Sequence, residues 1–341
     1  MKIAIVKPDH LGDLILSAPA IRAVRARYSD VTLFVASRNV GLARLLFGAI
    51  ELQPLDLPHL AKNSGDGRSV MAFSDYDLVL FLRRDQVLNP QQAQMLCRDY
   101  LFFTESNLYH QTLLDYTVAS RVVGDYRIDA GFYGNDGGLI RQKATRPADR
   151  IGLCIAAGFF ANAWPAVHWV TLGRNLAAEG HRLCVICGPS ETKLAQLVAR
   201  RIGLDDQAVI RGGDDYARFL ARVAELDWIV ASDGGTAHLC SLVTPVLSIF
   251  GGSPFRRYAP FGRWNRLLTL ELPCSPCCQY MSRAINDCLS TECVIAITPD
   301  QVAGALHSVY QEIAPTSVDL GAHCRLYFGV SHLDRGELSS L

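Results

Sequence analysis

The first fifty residues carry a strand, a turn, a helix and a second strand, and the same order begins again near residue 151. That repetition restricts the chain to two successive doubly wound α/β units built on parallel sheets. In the first, residues 2–7 form a β-branched apolar run and residues 8–13 break it. Leu14, Ala18, Ile21, Val24 and Tyr28 then follow at helical spacing before residues 31–36 return to strand. Residues 77–82 read as a further buried strand, and 91–103 and 111–123 as helices; nothing between 50 and 76 fixes a pairing.

Residues 140–150 are polar and basic, and the domain linker is expected there. The expected map is 1–145, then 151–313, then an irregular tail over 314–341. In the second unit, strand 151–156, helix 165–179 stopped by Gly180, and strand 182–187 make one βαβ element. A helix from 191, a short strand near 209, helix 216–224, strand 228–231, helix 236–242 and strand 246–250 continue it. A helix over 299–313, with Thr298 as N-cap and Pro299 at its first position, closes it. Doubly wound units hold ligands beyond the carboxyl ends of their strands, so the cleft between the two is the expected site.

Lys+Arg and Asp+Glu balance at 33 each over 341 residues, so no global basic field draws nucleic acid, and an anionic ligand must be held locally. The N-terminal apolar run is too short for a signal peptide, and no stretch is long and apolar enough to span a bilayer. A cytoplasmic protein is expected, with at most peripheral contact to an inner membrane. Of the 11 cysteines, those at 97, 154, 184, 187, 240 and 324 are scattered and read as buried apolar residues of a reducing compartment. Cys184 and Cys187 have CxxC spacing, but three residues apart in a strand they face opposite sides of the sheet.

Three stretches carry chemistry. The first is 12–19, GDLILSAP, where Gly12 allows a sharp exit from the strand and puts Asp13 at a helix start, as a helix cap or as a base. Position 16 is Leu, so no capping box supports the cap, and the loop 7–13 does not spell GxGxxG, which disfavours a nicotinamide-dependent dehydrogenase. The second is 232–239, SDGGTAHL. Gly234 and Gly235 expose amides at a helix start to which a diphosphate can come close, and Thr236 adds a hydroxyl. The bland alternative is a tight turn with Asp233 as cap and His238 in the core. The third, 157–165 with Trp169, says only loop then helix.

In this order the three stretches resemble glycosyltransferase family 9, the heptosyltransferases that transfer heptose from ADP-heptose onto lipopolysaccharide core. The resemblance runs to about residue 313 and rests on GDxxLxxP at 12–19, Trp164-Pro165 with Trp169, the 233–239 stretch, and Cys-Ser-Pro-Cys at 274–277 followed by Thr298-Pro299-Asp300. It implies a GT-B fold: two Rossmann-like domains facing a cleft, acceptor on the N-terminal one and nucleotide-diphosphate sugar on the C-terminal one. It also implies inverting transfer that requires no cofactor. Asp13 matches the family's general base. Asp233, Gly234, Gly235 and Thr236 match its donor-diphosphate loop, and His238 matches a histidine of that stretch with no assigned role. Two lysines common in the family, before Trp-Pro and in the loop after the following strand, are absent: 162–163 read Asn-Ala and 187–191 read CGPSE. Arg256 or Arg257 is a candidate for the diphosphate charge, while Arg83, Arg84 and His110 are read as surface residues. The acceptor, glycan, lipid-linked or protein, is not specified. The rival is a GT-B-shaped protein without transfer activity, serving as a nucleotide- or metal-binding partner.

Cysteines 274, 277, 278, 288 and 293 crowd one segment. Cys274-x2-Cys277 and Cys288-x4-Cys293 have the spacing style of a structural four-thiolate iron or zinc site, and iron-containing members of the wider family hold metal with cysteines in the C-terminal domain. Packed or oxidisable thiols explain the cluster equally well.

Overall fold

The computed structural model describes residues 1–57, 73–84, 87–103, 109–125, 139–262, 264–277, 288, 290–308, 317–319 and 324–328. They fall into two units, one drawn from Met1–Asp129 and the other from Ala130–Arg335.

In the first unit, β1 (Ile3–Lys7), β2 (Val31–Val35), β3 (Glu51–Pro54), β4 (Leu78–Phe81) and β5 (Tyr100–Phe102) form a parallel sheet in the order β3-β2-β1-β4-β5. β1 is buried along its whole length, as a parallel strand covered on both faces must be, and that is why it reads as an apolar run up to Lys7. The helices are α1 (Leu11–Leu16), α2 (Ala18–Arg27), α3 (Val40–Phe47), α4 (Pro90–Leu96) and α5 (Gln111–Val123).

Two expectations are corrected here. Gly12 does not make the turn out of β1. Residues 8–10 do that, and Gly12 is buried inside α1, whose N-cap is His10. The helix read over 91–103 stops at Leu96, and its remainder contains β5, because the apolar run 100–103 pairs with β4 rather than extending the helical face.

The second unit adds α6 (Leu139–Ala144), β6 (Arg150–Cys154), α7 (Ala166–Ala178), β7 (Arg182–Cys187), α8 (Thr192–Ile202), β8 (Val209–Arg211), α9 (Tyr216–Val223), β9 (Trp228–Ser232), α10 (Gly235–Cys240), β10 (Val246–Phe250), α11 (Phe255–Tyr258), β11 (Arg266–Leu270), α12 (Glu292–Ile295), α13 (Pro299–Ser308), β12 (Ser317–Asp319) and β13 (Cys324–Phe328). Strands β8-β7-β6-β9-β10-β11 run parallel in that order, and β13 and β12 extend the sheet antiparallel beyond β11. Gly180, at φ +94°, ends the α7 turn as expected, a conformation that costs glycine nothing.

The expected irregular tail is therefore corrected: it supplies two strands, and β13 pairs residue by residue with β11 from Arg266 opposite Phe328 to Leu270 opposite Cys324. The expected linker also belongs to this unit. The buried Lys143 on α6 donates to Ala224 O at 2.5 Å and Thr244 Oγ1 at 3.1 Å, and Arg146 pairs with Asp227 at 2.7 Å. Burial lowers the Lys143 ammonium to about 8.

Candidate functional sites of the two units

In each unit the strand order reverses beside the first strand, between β1 and β4 in one and between β6 and β9 in the other. The loops leaving that point are where doubly wound sheets hold ligands, and in both units a polar contact ties the two loops together.

In the first unit the tie is Arg83, from the loop after β4, on Asp9, from the loop after β1. Around it lies a buried charge cluster. Lys7 donates to Leu82 O at 2.7 Å and lies 3.4 Å from Asp9 and 3.8 Å from Asp115. Burial alone would lower the Lys7 ammonium, but Asp115, Asp9 and Asp13 outweigh it and hold it above its usual value. Burial alone would raise Asp9, but Lys7 and Arg83 hold it below. Asp115 is fully buried on α5, takes Gln111 Nε2 at 2.7 Å and contacts Ser17 Oγ at 2.5 Å; burial pushes it up to about 6.

Asp13 is the third residue of α1 and partly exposed, so it does not cap the helix; an acid in the first turn still meets the favourable end of the helix dipole. Burial first, then the Asp9 carboxylate, raises its carboxyl above the usual range. His10, lowered by burial and by Arg38, receives an Arg38 guanidinium contact on Nδ1 at 3.1 Å, which puts its own proton on Nε2. The surface reading of Arg83 and His110 is corrected: Arg83 is ion-paired, and His110 is buried as the N-cap of α5, accepting from Thr112 N at 3.2 Å. Arg84 is exposed as expected.

In the second unit the tie is Asn162. From the loop after β6 its Nδ2 donates to Asp233 Oδ2 at 2.8 Å, after β9, and to Ser253 Oγ at 2.9 Å, after β10. Asp233 therefore does not cap α10; Gly234 occupies that position. A Cβ on Gly234 would lie 3.2 Å from both Ala156 O and Gly158 N, so glycine lets the two loops meet backbone to backbone. Gly234, Gly235 and Thr236 are partly exposed, while Asp233 and His238 are buried.

Trp164 is buried edge-to-face on Trp169 at 4.8 Å and donates from Nε1 to Ile297 O at 2.8 Å. Arg257 is buried, its guanidinium over the Tyr258 ring, whereas Arg256 is exposed.

The cysteine segment leans on the loop after β10. Ser275 Oγ donates to Gly251 O and Cys277 N to Gly252 O, each at 2.8 Å. Cys293 is buried and pushed up to about 11 by that burial and by the thiols of Cys277, Cys288 and Cys274, whereas hydrogen bonds from Thr291 and Ser290 lower Cys288. Zinc–sulfur bonds of about 2.3 Å would set tetrahedral sulfurs about 3.8 Å apart. Among the described residues no three cysteine sulfurs lie within 4.8 Å of one another, and the stretch 278–287 that joins the two cysteine pairs lies outside the described residues. Cys278 lies outside the described residues.

The family model described as Glycosyltransferase family 9 (heptosyltransferase) matches residues 74–286, more than half of the chain. The chain belongs to glycosyltransferase family 9. It is accordingly a transferase with the two-unit GT-B fold. The match includes the Asp233 loop and not Asp13. Among solved structures, a family 9 glycosyltransferase from Veillonella parvula DSM 2008 is 16% identical with TM-score 0.67, over 92% of this chain and 98% of that one. The E. coli heptosyltransferase WaaC with ADP-2-deoxy-2-fluoro heptose is 16% identical with TM-score 0.60, over 90% and 99%. The iron-containing dodecameric glycosyltransferase TibC of enterotoxigenic E. coli H10407 is 14% identical with TM-score 0.55, over 91% and 76%. At such identities the likeness is one of fold. Among curated proteins no match is found. Among the described residues no helix is long and apolar enough to cross a membrane.

The sequence of this family 9 member marks Asp13 and the Asp233 loop as candidates but not Lys7, Asp9, Asp115 or Ser253, which the structure places beside them. Asp115 sits 98 residues from Ser17, and Ser253 sits 91 from Asn162, so no local pattern announces either contact. The Lys at the end of an otherwise apolar β1 was the one available signal, since a buried lysine needs carboxylate partners.

Proposed function

We propose that the protein transfers a heptose or related sugar from a nucleotide-diphosphate sugar, ADP-heptose by resemblance, to a hydroxyl of a lipopolysaccharide-core, other glycan, lipid-linked or protein acceptor. The second unit takes the donor and the first the acceptor. The observation that carries this reading is the partly exposed Asp13 carboxyl at the carboxyl end of β1, made more basic by burial and by Asp9. A carboxylate so raised is a better proton acceptor at neutral pH.

In the proposed step Asp13 takes the proton of the acceptor hydroxyl as its oxygen bonds to the anomeric carbon. The bond from that carbon to the diphosphate breaks on the opposite face, and the nucleoside diphosphate leaves with the electron pair. Inversion follows from that geometry. Gly234, Gly235 and Thr236 present the diphosphate side of the site, with Asp233 fixed by Asn162 behind them and His238 packed beneath. The position where the family often carries lysine is here the neutral, buried Asn162, so Arg256, exposed at the start of α11, is the proposed cation for the leaving charge. Phe159 and Phe160, exposed beside Asn162, offer an apolar surface to the nucleoside. Any contact with an inner membrane would be peripheral and made to reach a lipid-linked acceptor.

The test is release of ADP from ADP-heptose in the presence of core-type acceptors, with Asp13→Asn beside the natural protein. The variant should bind ADP as before and turn over about 100- to 10,000-fold more slowly. Undiminished turnover would remove Asp13 from the mechanism. Nucleotide binding without turnover in the natural protein would favour the non-enzymatic rival.

A further inference from the structure

The strongest unexplained constellation lies at the other end of the second unit's sheet. Glu179 follows α7, His181 precedes β7, and His307 is on the last turn of α13. His307 Nε2 is 3.0 Å and His181 Nε2 is 3.5 Å from the same oxygen, Glu179 Oε2, and the three ligand atoms all lie within 4.8 Å of one another.

The hydrogen bonding of His181 decides what this arrangement needs. Its Nδ1 lies 3.0 Å from Ala148 O, a carbonyl that can only accept, so Nδ1 carries the proton. In the neutral ring Nε2 is then a bare lone pair facing a carboxylate oxygen. Two acceptors held 3.5 Å apart are favourable only with a positive centre between them, which is a second proton on the ring or a bound cation. A metal-bound histidine shows the same pattern, its second nitrogen donating to a backbone carbonyl that fixes tautomer and ring orientation. An ion about 2.0–2.2 Å from each of two nitrogens and an oxygen in tetrahedral geometry sets those atoms about 3.3–3.6 Å apart. The His181 separation of 3.5 Å falls within that range, and His307, whose Nε2 is hydrogen-bonded to Glu179 Oε2 at 3.0 Å, would have to give up that proton and move by only a few tenths of an ångström.

We propose that Glu179, His181 and His307 bind one divalent transition-metal ion of the zinc type. Two imidazoles and one carboxylate suit zinc, copper or nickel better than magnesium or calcium, which prefer oxygen ligands. Glu179 and His307 are exposed, so the ion enters from solvent and a water fills the remaining position. The ligands sit at the amino ends of the parallel strands, whereas Asn162 and Asp233 follow their carboxyl ends, so the ion takes no part in sugar transfer. It pins α13 to the α7–β7 turn.

The test is calorimetric titration of chelator-stripped protein with zinc chloride, repeated on His181→Ala and His307→Gln, together with the absorption spectrum of the cobalt(II) form. One ion is expected in the natural protein, bound about tenfold or more weakly in each variant. The cobalt spectrum should show d–d bands without thiolate charge transfer, and zinc should raise the melting temperature of the natural protein but not of His307→Gln. His307 is exposed, and glutamine is a good helix former there, so the metal-free melt of that variant reports whether the fold is intact. Equal zinc affinity in all three proteins, no zinc binding, or cobalt bound only through thiolates would each overturn the proposal.

Discussion

Ser17 illustrates how much one hydroxyl can report. It has a single hydrogen, yet its Oγ lies 3.0 Å from Asp13 O and 2.5 Å from Asp115 Oδ2, both acceptors when Asp115 is ionised. A protonated Asp115 removes the conflict: it donates to Ser17, and Ser17 donates to Asp13. That agrees with the rise of this carboxyl to about 6, which burial causes against the pull of Lys7. A carboxyl raised above its unfolded value near 3.9 contributes stability that is complete below about pH 4 and is lost as pH rises through about 6. Asn mimics the protonated acid, donating from Nδ2 where the acid donates from oxygen. Asp115→Asn should therefore leave stability little changed near pH 4. Relative to the variant, the natural protein should lose about 1.4 kcal/mol per pH unit between about 4 and 6. Chemical denaturation of both proteins across that range measures it, and the difference cancels His10 and His168, whose lowered values act in the opposite sense near their own titration. Parallel curves would show that Asp115 is ionised throughout.

Elements were legible where burial and period agree and illegible where they do not. β7, β10 and α5 have the bounds expected from sequence, because each is bracketed by breakers and patterned for its own period. β3 was not seen: Glu-Leu-Gln-Pro is an edge strand, mostly exposed, and carries no apolar signal to read. For α13 the cap at Thr298 was expected, but the structure adds its reciprocal half. Gln301 N donates to Thr298 Oγ1 at 3.2 Å, and Thr298 N donates to Gln301 Oε1 at 2.9 Å, a complete capping box. The box sets the start of a helix whose Val302, Ala305 and Leu306 are buried in the second unit's core. Thr298→Ala should cost about 1 kcal/mol and lower the melting temperature by about 2–4 °C. Because Thr298 is exposed, no cavity accompanies the loss, and an unchanged melting curve would mean that packing alone fixes the helix start.

For the whole molecule the sequence disclosed the two α/β units and the loops that carry the candidate site residues, since those depend on turns and on apolar runs. It did not disclose where the second unit ends. Cys-Arg-Leu-Tyr-Phe at 324–328 is too short a run to announce a strand by itself, and its partner β11 lies far earlier in the chain, so only the sheet makes its pairing visible. The consequence is specific. β11 is buried over all five residues, with Leu267, Leu268 and Leu270 in the core, and β13 covers its outer edge. Truncation after residue 313, at the boundary expected from sequence, would strip that edge and leave β11, still paired with β10 on its other side, as an open leucine-rich edge strand of the kind that pairs with other chains. The truncated protein should form concentration-dependent aggregates and bind a hydrophobic dye, whereas the full chain under the same conditions should not. Size-exclusion chromatography and dye fluorescence across a dilution series read this directly. A truncated chain that stays monomeric, with the melting temperature of the full one, would show that the sheet is complete at β11 and that β12 and β13 are ornaments on it.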